Sequence, residues 1–244
     1  GRGRRRRRRG RGRRRRRDGS RRDGRRERRA PPGGRRGRRR LRRRRPDRGA
    51  GVAVATENET GTRTVRFLDA AGEQRWTATP ETTPLNWRGA TTRRGPVLAL
   101  GTADGRLIAL EAADGSVRYD VGLQDVPVAV GAVDAGRVYV GGTGDLWSVN
   151  LLDGEILWKQ QYGAGVRINA PGVADVTGDG NPNPVAVNRG GGVLGTDSGG
   201  TPVLRGGLEN AVVYGGPLLV DVTSDGTAEV LLVREDGTVV ALDT

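Results

Sequence analysis

An all-β repeat fold is predicted for residues 51–244 from three observations. The apolar runs are short and rich in Val, Leu and Ala; Gly interrupts every stretch long enough for a helix; and a turn-glycine-to-aromatic signature recurs at a near-constant interval. Short apolar runs bounded by Gly-containing turns fit strands, and no 3.6-residue periodicity extends over a helix length.

The repeat shows in three aligned segments, FLDAAGEQRW (67–76), ALEAADGSVRY (109–119) and VNLLDGEILW (149–158). Each reads as an apolar strand, an acidic or amide residue, a short turn with Gly and, four positions after that Gly, an aromatic. The aromatics Trp76, Tyr119 and Trp158 are 43 and 39 residues apart. Upstream of each lies another short apolar run: VAVAT (52–56), PVLALGTADG (96–105) and RVYVGG (137–142). Two later units keep the beat with a different turn, PGVADVTGDGNPNPVAV (171–187) and GPLLVDVTSDGTAEVLLV (216–233), and their first aspartates, Asp175 and Asp221, are 46 residues apart.

An interval of about 40–47 residues with three or four short β runs per unit signals the blades of a β-propeller. A β-sandwich has no self-similar unit, and a β-helix repeats at a shorter interval. Asp104-Gly105, Asp114-Gly115, Asp153-Gly154, Asp225-Gly226 and Asp236-Gly237 suit hairpin corners that need positive φ. About five four-stranded blades are expected, with the repeated aromatic stacked between adjacent sheets. VAVAT lacks a preceding strand and VVALDT stops where earlier units continue, so the expected form is an open arc, an incomplete ring.

GTADGRLIALEAADGSVRY and GGTGDLWSVNLLDGEILW resemble the repeat of the PQQ-like propellers. There a strand is followed by Gly-x-x-Asp-Gly, a Leu-(Tyr/Ile)-Ala-Leu-Asp strand, and Thr/Asp-Gly-x-x-x-Trp; VREDGTVVALDT (233–244) begins a further copy. The resemblance covers about residues 51–244. It implies the fold and leaves the activity open, because the family includes quinoprotein alcohol dehydrogenases and non-enzymatic members of the outer-membrane assembly lipoprotein type. As the resemblance implies, the dehydrogenases stack their quinone (PQQ) on a vicinal disulfide, beside an Asp base and a calcium ion held by Glu and Asn. This chain has no Cys and no segment matching that constellation, so PQQ is not expected. A carboxylate pair for polysaccharide cleavage is not selected by any spacing among the acids.

Calcium is a candidate ligand at two loops. In DVTGDGNPN (175–183), oxygen-bearing side chains fall at alternate positions: Asp175, Thr177, Asp179, Asn181 and Asn183. Gly180 allows the bend that turns successive oxygens toward one point, and calcium takes several hard oxygens. DVTSDGTAE (221–229) offers Asp221, Thr223, Asp225, Thr227 and Glu229 around Gly226. The first loop, followed by PVAV, is similar to the FG-GAP and VCBS calcium loops of propellers, with Asn183 where that family has Asp. An Asx turn without metal is the alternative for both. The amides of the first loop favour it as the tighter site.

Charge divides the chain in two. Of 43 basic and 28 acidic residues, 29 Arg and four acids (Asp18, Asp23, Glu27, Asp47) fall in residues 1–50, a net +25; the remaining 14 basic and 24 acidic residues give residues 51–244 a net −10. The first segment is Arg- and Gly-rich with one large aliphatic, Leu41, and no aromatic, too little apolar surface to offset the entropy of ordering. It reads as a disordered, dispensable tail, as out-of-frame sequence, or as an arm that binds phosphate backbones by counterion release, the last disfavoured by the absence of aromatic residues for stacking. The second reading follows from Gly, Ala, Val, Asp and Glu, all encoded by codons beginning with G, forming more than half of residues 51–244. Shifted in frame in a GC-rich gene, such codons spell Arg.

The absence of Cys excludes disulfides, thiolate nucleophiles and cysteine-held metals, and the absence of His excludes a Ser-His-Asp triad and an imidazole switch. No apolar run reaches the about 18 residues a membrane-spanning helix needs. An acidic folded region with one Lys disfavours nucleic acid and resembles proteins of high salt or the cell exterior. The expected function is a non-catalytic binding or scaffold propeller, extracytoplasmic or at the cell surface, taking a protein or carbohydrate ligand on its loops. The alternative is part of a quinoprotein-type oxidoreductase or of a polysaccharide-acting enzyme.

Overall fold

A computed structural model describes residues 51–244 except Thr60, Thr62, Ala164 and Asp243, and all the described residues belong to one compact unit. The disordered or out-of-frame reading of residues 1–50 lies outside the described residues. Eighteen strands form five antiparallel sheets, each a simple up-and-down meander. Sheet I holds β1 (Gly51–Glu57), β2 (Arg63–Asp69) and β3 (Gln74–Ala78); sheet II holds β4 (Pro84–Thr92), β5 (Gly95–Thr102), β6 (Arg106–Glu111) and β7 (Val117–Gly122). Sheet III holds β8 (Ala129–Asp134), β9 (Arg137–Gly141), β10 (Asp145–Asn150) and β11 (Ile156–Gln161), and sheet IV holds β12 (Gly172–Ala174), β13 (Asn183–Val187), β14 (Gly192–Thr196) and β15 (Pro202–Gly207). Sheet V holds β16 (Leu218–Val220), β17 (Glu229–Val233) and β18 (Val239–Leu242). The expected four-stranded blade is therefore found in sheets II to IV, while sheets I and V show three strands each among the described residues. No helix there is long and apolar enough to cross a membrane.

Buried strands explain why the sequence lacks a clean apolar–polar alternation. In sheet II, Val97, Ala99, Leu107 and Ala109 pack toward sheet III, while Leu98, Leu100, Ile108 and Leu110 pack toward sheet I. Successive residues point to opposite faces, and both faces are covered, so every position must be apolar. The joints follow one another along the chain. One apolar cluster joins I to II, one II to III, a smaller one III to IV, and one IV to V. Among the described residues no cluster joins V back to I, and the arrangement is an incomplete propeller.

The repeated aromatic is the principal part of three joints. Trp76, Tyr119 and Trp158 sit opposite Phe67, Ala109 and Ser148 on the neighbouring strand of their own sheet, each beside the same register shift. From there each ring reaches the turn glycine of the next sheet. A Cβ added to Gly115 would lie 2.7 Å from the Trp76 ring; at Gly154 it would lie 2.7 Å from the Tyr119 ring, and at Gly200 2.8 Å from the Trp158 ring. Only a glycine admits the ring at that distance. Trp76 Nε1–H donates to Ala112 O at 2.9 Å, and Trp158 Nε1–H to Ser198 O at 3.0 Å, so two of the three rings also bond the turn they cover. In sheet IV the corresponding residue, opposite Gly195, is Leu204, and it packs into the apolar cluster shared with sheet V.

Gly115→Ala, Gly154→Ala and Gly200→Ala should each lose about 2–4 kcal/mol of stability, since each adds overpacking to a left-handed conformation. Gly72 has the same positive φ (81°) but nothing within 4 Å of its Cβ position. Gly72→Ala should therefore cost only about 1 kcal/mol. Equal losses at all four positions in denaturant titrations would exclude the ring-on-glycine joint.

Candidate functional site

The two candidate calcium loops are the first turns of sheets IV and V, between β12 and β13 and between β16 and β17. They have the same construction. Gly178 and Ser224 occupy equivalent positions with φ of 71° and 65°, followed by Gly180 and Gly226 at 83° and 93°. The opening aspartate folds each loop around itself. Asp175 accepts the N–H groups of Thr177 (3.1 Å), Gly178 (2.8 Å) and Gly180 (2.7 Å). Asp221 accepts those of Ser224 (2.6 Å), Asp225 (3.3 Å) and Gly226 (2.9 Å).

The last residue closes each loop from inside. Asn183 and Glu229 are buried, and each accepts the N–H that follows the opening aspartate, from Val176 at 3.1 Å and from Val222 at 2.8 Å. Glu229 also accepts the Thr223 hydroxyl at 2.9 Å. The second loop brings Asp221, Asp225 and Glu229 together, with one carboxylate oxygen from each within 4.8 Å of the others. In the first, the Thr177 hydroxyl lies 3.3 Å from Asp175 Oδ1 and 3.4 Å from Asn183 Oδ1, and Asp179 accepts the Asn181 N–H at 2.8 Å. Three convergent carboxylate oxygens at that separation fit the 2.3–2.6 Å oxygen shell of calcium. The loops also meet: Ala228 N–H donates to Asp175 O at 2.8 Å, which makes them part of the joint where the aromatic is missing.

A second feature is a cavity of about 650 Å³ between sheets I and II. Ile108, Leu110 and Val117 line its apolar side, and Glu81, Asp104 and Asp120 bring three carboxylates near Arg106. Arg106 Nε donates to Asp120 at 2.7 Å, and that bond leads the causes that raise the guanidinium's affinity for its proton. Sequence reasoning did not single out this cavity, because its lining comes from two blades.

Several carboxyls are held in the ionised form by donors in their own turns. Backbone N–H donation from Glu73 and from Thr201 leads the causes that hold Asp69 and Asp197 below the usual carboxylate range, and the Ser116 hydroxyl does so for Asp114. At Asp175, burial opposes ionisation most strongly, but the N–H groups of Gly180, Thr177 and Gly178 together outweigh it. Glu111, Asp179 and Asp236 are lowered likewise, led by bonds from Arg118, from the Asn181 N–H and from the Thr238 N–H.

These features define a propeller of PQQ-like repeats whose apolar clusters lie at the joints between blades. The chain belongs to the family described as outer membrane protein assembly factor BamB, a sequence model of which matches residues 61–201. That stretch includes the first calcium-loop candidate and stops before the second. BamB from Moraxella catarrhalis superposes with a TM-score of 0.61 at 20% identity, over 81% of this chain and 59% of that one. The chain thus spans about three-fifths of that BamB. The N-terminal part of BBS1 in complex with ARL6 (TM-score 0.58, 15% identity, 79% of this chain and 64% of that one) is also similar. So is a europium-containing methanol dehydrogenase (TM-score 0.58, 14% identity, 80% and 47%). At these identities the likenesses show the fold alone. No curated protein matches the sequence.

The pH profile follows from the charges. The lowered aspartates contribute stability that is fully present above their unfolded pKa near 4 and lost as pH falls through their folded values. Burial pushes Tyr119 up from 10.0 to about 12, which contributes below pH 10 and is lost as pH rises toward the folded value. With no His in the chain, the melting temperature should be flat between about pH 5 and 9 and fall on both sides. A step between pH 6 and 7 in calorimetry would contradict this.

Proposed function

We propose that the chain is a non-catalytic scaffold propeller of the cell envelope that holds a polypeptide partner on its loops. Membership of the BamB family over residues 61–201 carries this reading. The BBS1 propeller, whose described structure is a complex with another protein, adds a case of the same fold serving association. The second reading, a quinoprotein-type oxidoreductase, is favoured by the likeness to methanol dehydrogenase. The residues do not fit that cofactor: a chain with no Cys offers no vicinal disulfide for the quinone to stack on. In vivo crosslinking with the tagged chain should recover a discrete envelope protein in the membrane fraction. Exclusive recovery from the cytosol, or dye reduction with an alcohol after loading with PQQ and calcium, would overturn the reading.

Calcium has a structural role in the same proposal. It sits in the loops of sheets IV and V and braces the joint that lacks an aromatic. The amides in the sequence favoured the loop of sheet IV, but the loop of sheet V is here ranked the stronger, because it gathers three carboxylates whose mutual repulsion an ion relieves. Millimolar calcium should raise the melting temperature by several degrees and EDTA reverse it, as expected for a ligand bound only to the folded state. Asp225→Asn should abolish most of that response and Asp179→Asn only a minor part. The reverse ranking would place the ion in the first loop, and no response in the unaltered chain would leave both loops as Asx turns.

A further inference from the structure

The segments at one end of sheets III to V are stitched side by side by their backbones. Arg189 N–H donates to Arg167 O at 2.9 Å, Val213 N–H to Arg189 O at 3.0 Å, and Glu235 N–H to Val212 O at 2.8 Å. This brings Arg167, from the connection between β11 and β12, next to Arg189 in the β13–β14 turn. Neither guanidinium has a carboxylate or a hydrogen-bond acceptor among the described residues. Arg167 is half-buried, and burial first and the Arg189 charge second lower its hold on its proton. Arg189 lies over the ring of Tyr214, 5.4 Å from its centroid. Tyr214 is 60% exposed, and Val166 and Val212 beside it are 36% and 39% exposed. Of the acids on the adjoining segments, Asp236 lies 3.7 Å from Arg234, and Glu209 lines a recess with Val166 and Asn188 but is not bonded to either arginine.

Two neighbouring guanidiniums without a partner among the described residues repel one another, and here they occur on a folded region of net charge −10. Resting on the scaffold reading above, we infer that this end of sheets III to V is the docking surface for an acidic polypeptide segment. Carboxylates of the partner bond Arg167 and Arg189, and an apolar side chain beside them covers Tyr214, Val166 and Val212. Charge-assisted bonds to Arg are stronger than neutral ones, and Arg and Tyr at the centre of a patch are the residue types that dominate binding energy. A peptide with two or three carboxylates matches two cations. A nucleic acid carries a charge at every nucleotide along its length and would bring far more negative charge against the rest of this acidic region than a short segment with two or three carboxylates.

The probe is the C-terminally amidated hexapeptide Asp-Bpa-Glu-Ser-Phe-Glu, with three carboxylates, in which Bpa is the photo-reactive benzoylphenylalanine, and the readout is the position of its crosslinks on the full chain by mass spectrometry. Position matters because the arginines of residues 1–50 attract any anion. Wild type should crosslink within residues 162–168, 188–191 and 209–215. Arg167→Gln/Arg189→Gln should lower those crosslinks at least tenfold, leave those on residues 1–50 unchanged, and not lower the melting temperature. Arg189→Gln alone, at an exposed position, should give an intermediate loss. Crosslinks elsewhere in residues 51–244, or undiminished by the double substitution, would overturn the inference. Stronger displacement by oligo-dT than by the unlabelled peptide would assign the surface to nucleic acid, and a wild-type dimer that the double variant dissolves would assign it to a second copy. If envelope crosslinking recovers the same partner equally with wild type and the double variant, only this surface is wrong; if it recovers none with either, the scaffold reading fails.

Discussion

An aromatic ring seated against the backbone of a glycine in the following sheet is the contact on which the order of the blades depends. Trp76 over Gly115, Tyr119 over Gly154 and Trp158 over Gly200 repeat one geometry three times. The ring comes from the last strand of one sheet, the glycine from the final turn of the next, and the register shift beside the ring is conserved in form at each step. Ring and glycine must be supplied by different blades, so neither blade can bury its own share alone. That couples sheets whose separate cores would be too small to stand unaided.

The joint between sheets IV and V is built from other materials. Leu204 takes the aromatic's place in an aliphatic cluster, and the two acidic loops are tied by the bond from Ala228 to Asp175. Packing is still apolar, but part of the connection now passes through polar turns at the surface. Carboxylate electrostatics can therefore act on this joint, whereas the first three rest on packing and on neutral hydrogen bonds such as those of Trp76 and Trp158. The arginine-bearing end of sheets III to V lies across the same stretch of chain, so both candidate recognition features fall in the half where the repeat is least regular.

Much of the fold was legible in the sequence because the joints are written into it at a fixed interval. The spacing of Trp76, Tyr119 and Trp158 gave the blade length, and the Asp-Gly pairs marked turns, all of whose glycines have positive φ. The pairing of ring and glycine was not legible. Within one unit the glycine stands four positions before the aromatic, yet the glycine that the ring covers is about forty residues further on. Leu204 was missed for a related reason: its equivalence is defined by strand register, and a leucine carries no signal of its own. The opening and closing residues of both acidic loops were identifiable from alternation, but the buried, loop-closing role of Asn183 and Glu229 needed coordinates. Arg167 and Arg189 are 22 residues apart and share no motif; only backbone bonds between successive connections bring them together.

The ring-on-glycine contact also gives the stack a direction. Sheets II and III each present a plug on one side and a socket on the other, and all three plugs face the same way. A unit copied by unequal recombination would arrive with both half-joints intact, ready to slot between its parents without any change in their sequence. A unit inverted or borrowed from a propeller with another joint would not. Blade number in such a lineage is therefore free to drift by whole repeats, whereas the two residues that define the plug and the socket are held together by each other, one blade apart.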